Sequence, residues 1–307
     1  GLGAIASESQ VPSGRTPCGL VGGSCTLAAG ESWTLYEIVG HAGGQGVVAG
    51  VLPRICDPGY VEAKRAEARA LAEELTDAIA TRTSDPLFDG YARQTYLDNV
   101  LRGGRPVVIG DGKAVVHAYG RKHGDIERDY NDFVLPAEPY SSGNGAYRDL
   151  NQNRRCDVWF DPRVGASDVT TFVGLLQPDG YNPLVCDGLR FRLPESARGT
   201  VCALVERPEG LAPLLEGEFT PGELLRTIRD RRLGLRVDAA TFVAAALGPA
   251  ESRFAARYQE GYWIDHWLYN LDLIESFLAI FPDRADELFG ARVGWYDSPG
   301  VVQPLAR

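Results

Sequence analysis

The sequence predicts a mainly helical protein, with a β-rich section to about residue 57, a linker helix over 58–84 and a helical, barrel-like domain over 85–307. Three observations predict it. Composition shifts near Asp57 from glycine-rich to a run dense in Ala, Glu, Leu, Lys and Arg. Beyond that point apolar residues recur at helical spacing, between N-cap residues and glycine stops. Between the helices lies a polar stretch, Ser141 to Phe160, that has the makings of a site wall.

Before the composition shift, apolar runs are short. Ser32 to Val39 alternates like a half-buried strand, with Trp33 and Leu35 on one side. His41 sits in the glycine-rich turn that follows and has no chemical neighbour in sequence. Pro58 then suits a first helical turn, and Val61, Ala68, Leu71, Ala72, Leu75 and Ile79 form a stripe opposite a charged face. Asp85-Pro86 opens a second helix, which Gly103 and Gly104 stop. Pro106 to Ile109 and Ala114 to Tyr119 flank GDGK, whose Asp-Gly signals a hairpin.

The hairpin leads to an acidic run containing His123, Asp125, Glu127, Asp129 and Asp132, where acids in a first helical turn would complement the helix dipole. In the polar stretch, Gly143 and Gly145 allow a sharp turn before Tyr147, Arg148, Asp149, Asn151, Gln152, Asn153, Arg154, Arg155 and Asp157. Guanidinium, carboxylate and amide groups together match the donors and acceptors of a ring of hydroxyls, and Tyr147 or Trp159 offers a flat apolar face. A sugar is the ligand class this predicts. The plain alternative is a solvated loop feeding an N-capped helix, with the arginines paired to local acids; the density of Asn and Gln argues against helix there.

Further on, Ser167 or Asp168 caps a helix carrying Val169, Phe172, Val173, Leu175 and Leu176. Leu189, Phe191 and Leu193 alternate with Arg190 and Arg192 as a short strand, and three capped helices follow over 196–205, 221–231 and 238–247. Gly261 to Pro282 is an aromatic helix with two faces. Tyr262, Asp265, Tyr269 and Asp272 share one stripe, and Trp267, Leu271, Ile274, Leu278 and Phe281 share a second, read as core. The polar stripe would wall a cavity, or would simply pair with buried neighbours.

The 307 residues are 44% apolar, enough for a substantial core, and the formal charge of −10 argues against nucleic acid or an anionic membrane as partner. No run is long and apolar enough to span a bilayer. The six cysteines lack zinc-ligand spacing, so no metal is expected; Cys18 and Cys25 could close a small disulfide loop, but buried thiols and a cytoplasmic location are the default. With no Met and a Gly start, the chain reads as a piece of a longer protein.

Gly145, Ala146, Tyr147, Arg148, Asp149 and Gln152, within GNGAYRDLNQNRR, resemble the motif of the inverting glycoside phosphorylases of the cellobiose phosphorylase type. DGYNPL and GYWIDHWLYNLDLIESFLAI extend the likeness to large bacterial proteins related to them. The resemblance implies the tail of a β-sandwich domain (1–57), the linker helix, and the first part of an (α/α)6 barrel from residue 85. It implies that Arg148 and Asp149 hold a sugar on the non-reducing side of the scissile bond, with Tyr147, Gln152, Asn153, Asp265 and Tyr269 as further substrate-binding candidates. Inorganic phosphate would be the co-substrate, with no cofactor, and the remainder of the chain or a second subunit would complete the site.

The family's general acid lies in an Asp-Trp-Asn-Asp-Gly motif after this point, and none follows Asp149. Asp129 to Asp132 imitates it out of order, which leaves Asp132 and Asp265 as the candidate acids. An inverting hydrolase, which would need a second carboxylate about 6.5–9.5 Å from the acid, and a non-catalytic sugar-binding piece are the alternatives.

Overall fold

In the computed structural model, the described residues are 9, 13–14, 22–40, 42, 44–110, 114–118, 120, 136, 138–178, 180–258 and 264–292. Contacts divide the chain into two units, Gly1–Leu71 and Ala72–Arg307. The protein is mainly helical, with small antiparallel sheets.

In the first unit the expected strand at Ser32 to Val39 is not formed. Residues 22–40 carry no helix or strand, and Trp33, Leu35, Ile38 and Val39 are exposed. Alternation alone does not make a strand; without a partner ladder its backbone groups are satisfied as well by water. Helix α1 (Gln45–Ile55) stands where further β structure was expected. Val47, Val51 and Ile55, like Val48 and Leu52, are four residues apart, a period that suits a helix despite the β-branched side chains of the valines and Ile55. Helix α2 (Tyr60–Thr76) fulfils the strong helix expectation and ends in a 3₁₀ turn, Asp77–Ile79.

In the second unit α3 (Pro86–Gly103) begins as its sequence demands. Pro86 takes the first turn, and the Asp85 carboxylate accepts from the Leu87 and Phe88 amides. Gly104, at φ 84°, stops it. The hairpin is present as β1 (Arg105–Ile109) and β2 (Ala114–Ala118), which pair antiparallel with Pro106 opposite His117.

Four further strands were legible in part or not at all. β3 (Gly145–Ala146), β4 (Val185–Arg192), β5 (Glu218–Phe219) and β6 (Glu251–Arg257) form one antiparallel sheet. β4 is central: β6 runs along it, and β3 and β5 pair with its two ends. A bulge at Cys186/Gly188, with Gly188 at φ 109°, bends the ladder.

Helices fill the rest: α4 (Tyr147–Arg154), α5 (Asp157–Phe160), α6 (Ser167–Gly174), α7 (Glu195–Cys202), α8 (Ala212–Leu215), α9 (Pro221–Asp230), α10 (Ala239–Leu247), α11 (His266–Ile280) and α12 (Ala285–Gly290). The caps read from sequence operate. Thr220 and Glu223 form a reciprocal capping box on α9, and the Asp238 carboxylate accepts from the Thr241 amide on α10.

Two apolar clusters meet at the sheet. One joins Phe191, Phe219, Leu224, Phe242 and Leu247 around α7 to α10; the other joins Tyr147, Leu150, Phe172, Cys186, Leu273 and Phe277 around α4, α6 and α11. The buried stripe of α11 is His266, Asn270, Leu273 and Phe277, not the aromatic one expected. Trp267 and Leu271 are exposed, because the polar residues His266 and Asn270 find buried partners on α4 and beside it. No helix among the described residues is long and apolar enough to cross a membrane.

Candidate functional site

The polar stretch is helix where sequence disfavoured it. α4 forms because residues 147, 150, 151 and 154, at i, i+3, i+4 and i+7, make one buried stripe whose polar members each find a partner inside. Tyr147 is fully buried. Its ring packs edge-on against Phe172 and stacks on His266, with centroids 5.3 Å away in each case. Its hydroxyl lies 3.0 Å from the Phe172 carbonyl and 2.9 Å from the Asn270 amide, and the Asn151 amide nitrogen donates to Asn270 Oδ1 at 2.7 Å. Tyr147 is thus a core residue and cannot be the sugar platform expected of it: the ring face is spent on His266, and burial raises its phenol pKa further.

The opposite side of α4 carries the other candidates. Arg148 Nε donates to Asp149 Oδ1 at 3.2 Å. Burial disfavours the Arg148 charge, but Asp149, and beyond it Tyr269 and Asp265 from the start of α11, raise its pKa. Asp265 and Tyr269, 117 and 121 positions from Arg148 in sequence, are thus near enough to act on its charge. Arg148 is half exposed and the Asp149 carboxylate almost buried; Gln152, Asp265 and Tyr269 are half-buried. Arg155 pairs with Asp272 at 2.8 Å, tying the same two helices. Asn153 is turned away from this role, since its amide donates to its own helix at the Asp149 carbonyl, 2.7 Å. Trp159 is half exposed. Asp132 with its neighbouring acids, and Tyr262, His41 and Cys18, lie outside the described residues; Cys25 is a free thiol.

A second constellation went unread in sequence. A cavity of about 890 Å³ lies between the hairpin, the sheet and α9, and it is lined by none of Arg148, Asp149, Gln152, Asn153, Asp265 or Tyr269. Its lining includes His117 of β2, Arg154 of α4 and Asp168 of α6. His117 Nε2 is 2.9 Å from Asp157 Oδ2 and 3.5 Å from Asp168 Oδ1. All three side chains are largely buried, and their ligand atoms lie within 4.8 Å of one another. Asp168 was expected to cap its helix; its carboxylate turns instead toward β2.

The electrostatics follow from burial. Desolvation, with the nearby Arg154 charge, pushes His117 well below the usual imidazole range, so the ring is neutral. Desolvation raises Asp157 well above an ordinary carboxyl, with Asp168 adding to the rise, and pushes Asp168 up to about 6. Arg154 offsets part of this from a distance. Its Nε donates to the Gly103 carbonyl at 2.9 Å, and its guanidinium lies 6.0 Å from the Phe172 ring centroid. Such an arrangement can share a proton between two carboxyls or hold a cation.

The far wall of the cavity is a pair of ion pairs. Arg226 meets Glu138 at 2.8 Å and Arg190 meets Glu223 at 3.1 Å. Desolvation raises the Glu138 carboxyl, and Arg226 restrains the rise. Arg190, Glu223 and Arg226 were legible only as strand or helix residues and Glu138 not at all, since Glu138 and Arg226 are 88 residues apart.

Compared with known protein families, curated proteins and solved structures, the chain matches none.

Proposed function

We propose that the chain belongs to a cytoplasmic carbohydrate-active enzyme, a glycoside phosphorylase that cleaves a β-linked gluco-oligosaccharide with inorganic phosphate and inversion, on an (α/α)6-type helical barrel. The observation that carries this reading is the convergence of Arg148 and Asp149 from α4 with Asp265 and Tyr269 from α11. A guanidinium and two carboxylates beside a phenol offer directional donors and acceptors to vicinal hydroxyls, and an acid at the edge of the group could serve a leaving oxygen. Asp265 is the candidate for that acid. Inverting phosphorolysis needs one protonated carboxyl and a phosphate held on the opposite face of the sugar, with no base to activate it.

Two measurements test the reading. Incubation of the full enzyme with β-gluco-oligosaccharides, with and without phosphate, should give sugar phosphate only when phosphate is present; reducing sugar without phosphate would make it a hydrolase, and binding without products a non-catalytic sugar-binding protein. Charge-assisted hydrogen bonds are worth roughly 1.5–3 kcal/mol each, so Asp149→Asn should weaken binding of methyl β-glucoside by about one to two decades at an unchanged melting temperature. Unchanged affinity with a lowered melting temperature would reduce Asp149 to a local ion-pair partner and remove the sugar reading from this face.

A further inference from the structure

We propose that His117, Asp157 and Asp168 form a binding site for a divalent transition-metal cation, opening onto the 890 Å³ cavity. This site is separate from the Arg148 face, and its assignment does not rest on a carbohydrate substrate.

Three independent elements supply the donors: β2, the first residue of α5 and the second residue of α6. Two of the donor separations, 2.9 and 3.5 Å, are close to those around a cation bound at about 2.1 Å, which are about 3.0 Å in octahedral and 3.4 Å in tetrahedral geometry. One imidazole nitrogen with two carboxylate oxygens is a donor set of the kind that zinc, manganese or cobalt accepts, and three protein ligands leave positions open on the cavity side.

Hydrogen-bond supply points the same way. His117 turns one ring nitrogen, Nε2, toward both carboxyl groups, and it lies 2.9 Å from Asp157. Asp168, its side chain more than nine-tenths buried, is left with the same nitrogen at 3.5 Å, beyond a normal hydrogen bond. Among the described residues no Lys or Arg nitrogen comes within 4.0 Å of either carboxylate, and Arg154 is directed to Gly103 and Phe172 instead. Two buried carboxyl groups therefore converge on one ring nitrogen, with no basic side chain among the described residues at contact distance. A cation seated among the three donors would supply the positive charge, with His117 turning its Nε2 lone pair inward.

The test uses the 307-residue chain stripped with a chelator and dialysed, with Mn²⁺ and Co²⁺ as probes, because the free thiols compete less for manganese than for zinc. One equivalent of Mn²⁺ by electron paramagnetic resonance is expected, and cobalt d–d bands without thiolate charge transfer. Affinity should fall at least tenfold in Asp168→Asn and to background in His117→Gln. Asp168→Asn keeps the shape of the side chain, and a circular dichroism spectrum matching that of the parent shows that its loss is not unfolding. Wild-type affinity no better than that of His117→Gln, or cobalt bands of thiolate character, would overturn the assignment and leave the carboxyl pair sharing a proton.

Discussion

Replacing Asp168 by Asn in chelator-stripped protein should stabilise the fold, and by more at pH 7.5 than at pH 5. The Asp168 carboxyl is pushed to about 6 in the folded chain, against 3.8 for an ordinary aspartate, chiefly by desolvation. The folded state therefore holds its proton more tightly than the unfolded state, and the stability this group confers is present below pH 4 and lost as pH rises through 6. Every tenfold in proton affinity is about 1.4 kcal/mol, so keeping the carboxyl ionised at pH 7.5 costs on the order of 3 kcal/mol, and at pH 5 roughly half of that. Asn carries no such cost at either pH.

The difference between the two pH values is thus on the order of 1 to 2 kcal/mol in favour of the variant at pH 7.5. His117 and the acids whose carboxyls are lowered by hydrogen bonds, such as Asp238 and Asp161, titrate in both proteins and largely cancel in the comparison, while Asp157, whose carboxyl Asp168 helps to raise, moves the effect in the same direction. Urea denaturation of both proteins, followed by tryptophan fluorescence at pH 5.0 and 7.5, measures the quantity. Equal effects at the two pH values, or a variant that is less stable at pH 7.5, would refute the placement of an ionisable carboxyl in this buried pair.

Tyr147→Phe should cost about 1–2 kcal/mol in the same denaturation assay, since it leaves the buried Asn270 and Phe172 acceptors short of a donor, while glucoside affinity at the Arg148 face stays unchanged. Gly222→Ala should cost about 1–3 kcal/mol, because its methyl would press on the Pro139 carbonyl at 2.6 Å and on the Glu138 carboxylate that pairs with Arg226; an unchanged urea midpoint would show that this loop yields freely.

What was legible in the sequence was local. Asp85-Pro86, Thr220 and Asp238 announce helices because each cap acts within three residues of itself. The GDGK hairpin and the strand around Phe191 were readable for the same reason. β6 was missed because its reason for existing is non-local: Glu251 to Arg257 shows weak alternation, and its ladder is made with β4, some sixty residues earlier. The first-unit strand failed for the converse reason, a good local pattern with no ladder to join among the described residues. α4 was read as an unlikely helix because propensity was counted and packing was not. Asn151 and Arg154 look out of place in a helix interior until Asn270 and the Gly103 carbonyl are seen beside them.

The two candidate sites differ in the same way. Arg148 and Asp149 are adjacent in sequence, so they could be singled out as a pair, and the spacing of Asp265 and Tyr269 on one helical stripe could be matched to them. His117, Asp157 and Asp168 share no such spacing; 40 and 11 residues separate them. They meet because the β1–β2 hairpin turns His117 inward opposite Pro106, and because α5 and α6 each carry a largely buried carboxyl group in the first turn. α4 stands between the two sites. Arg154 from its buried stripe reaches the cavity, while Arg148 from the other side reaches α11. A change that reorients this helix, such as the loss of the whole Tyr147 ring with its contacts to Phe172 and His266 in Tyr147→Ala, should therefore disturb both sites together. Changes confined to Asp168 or to Asp149 should disturb one and spare the other.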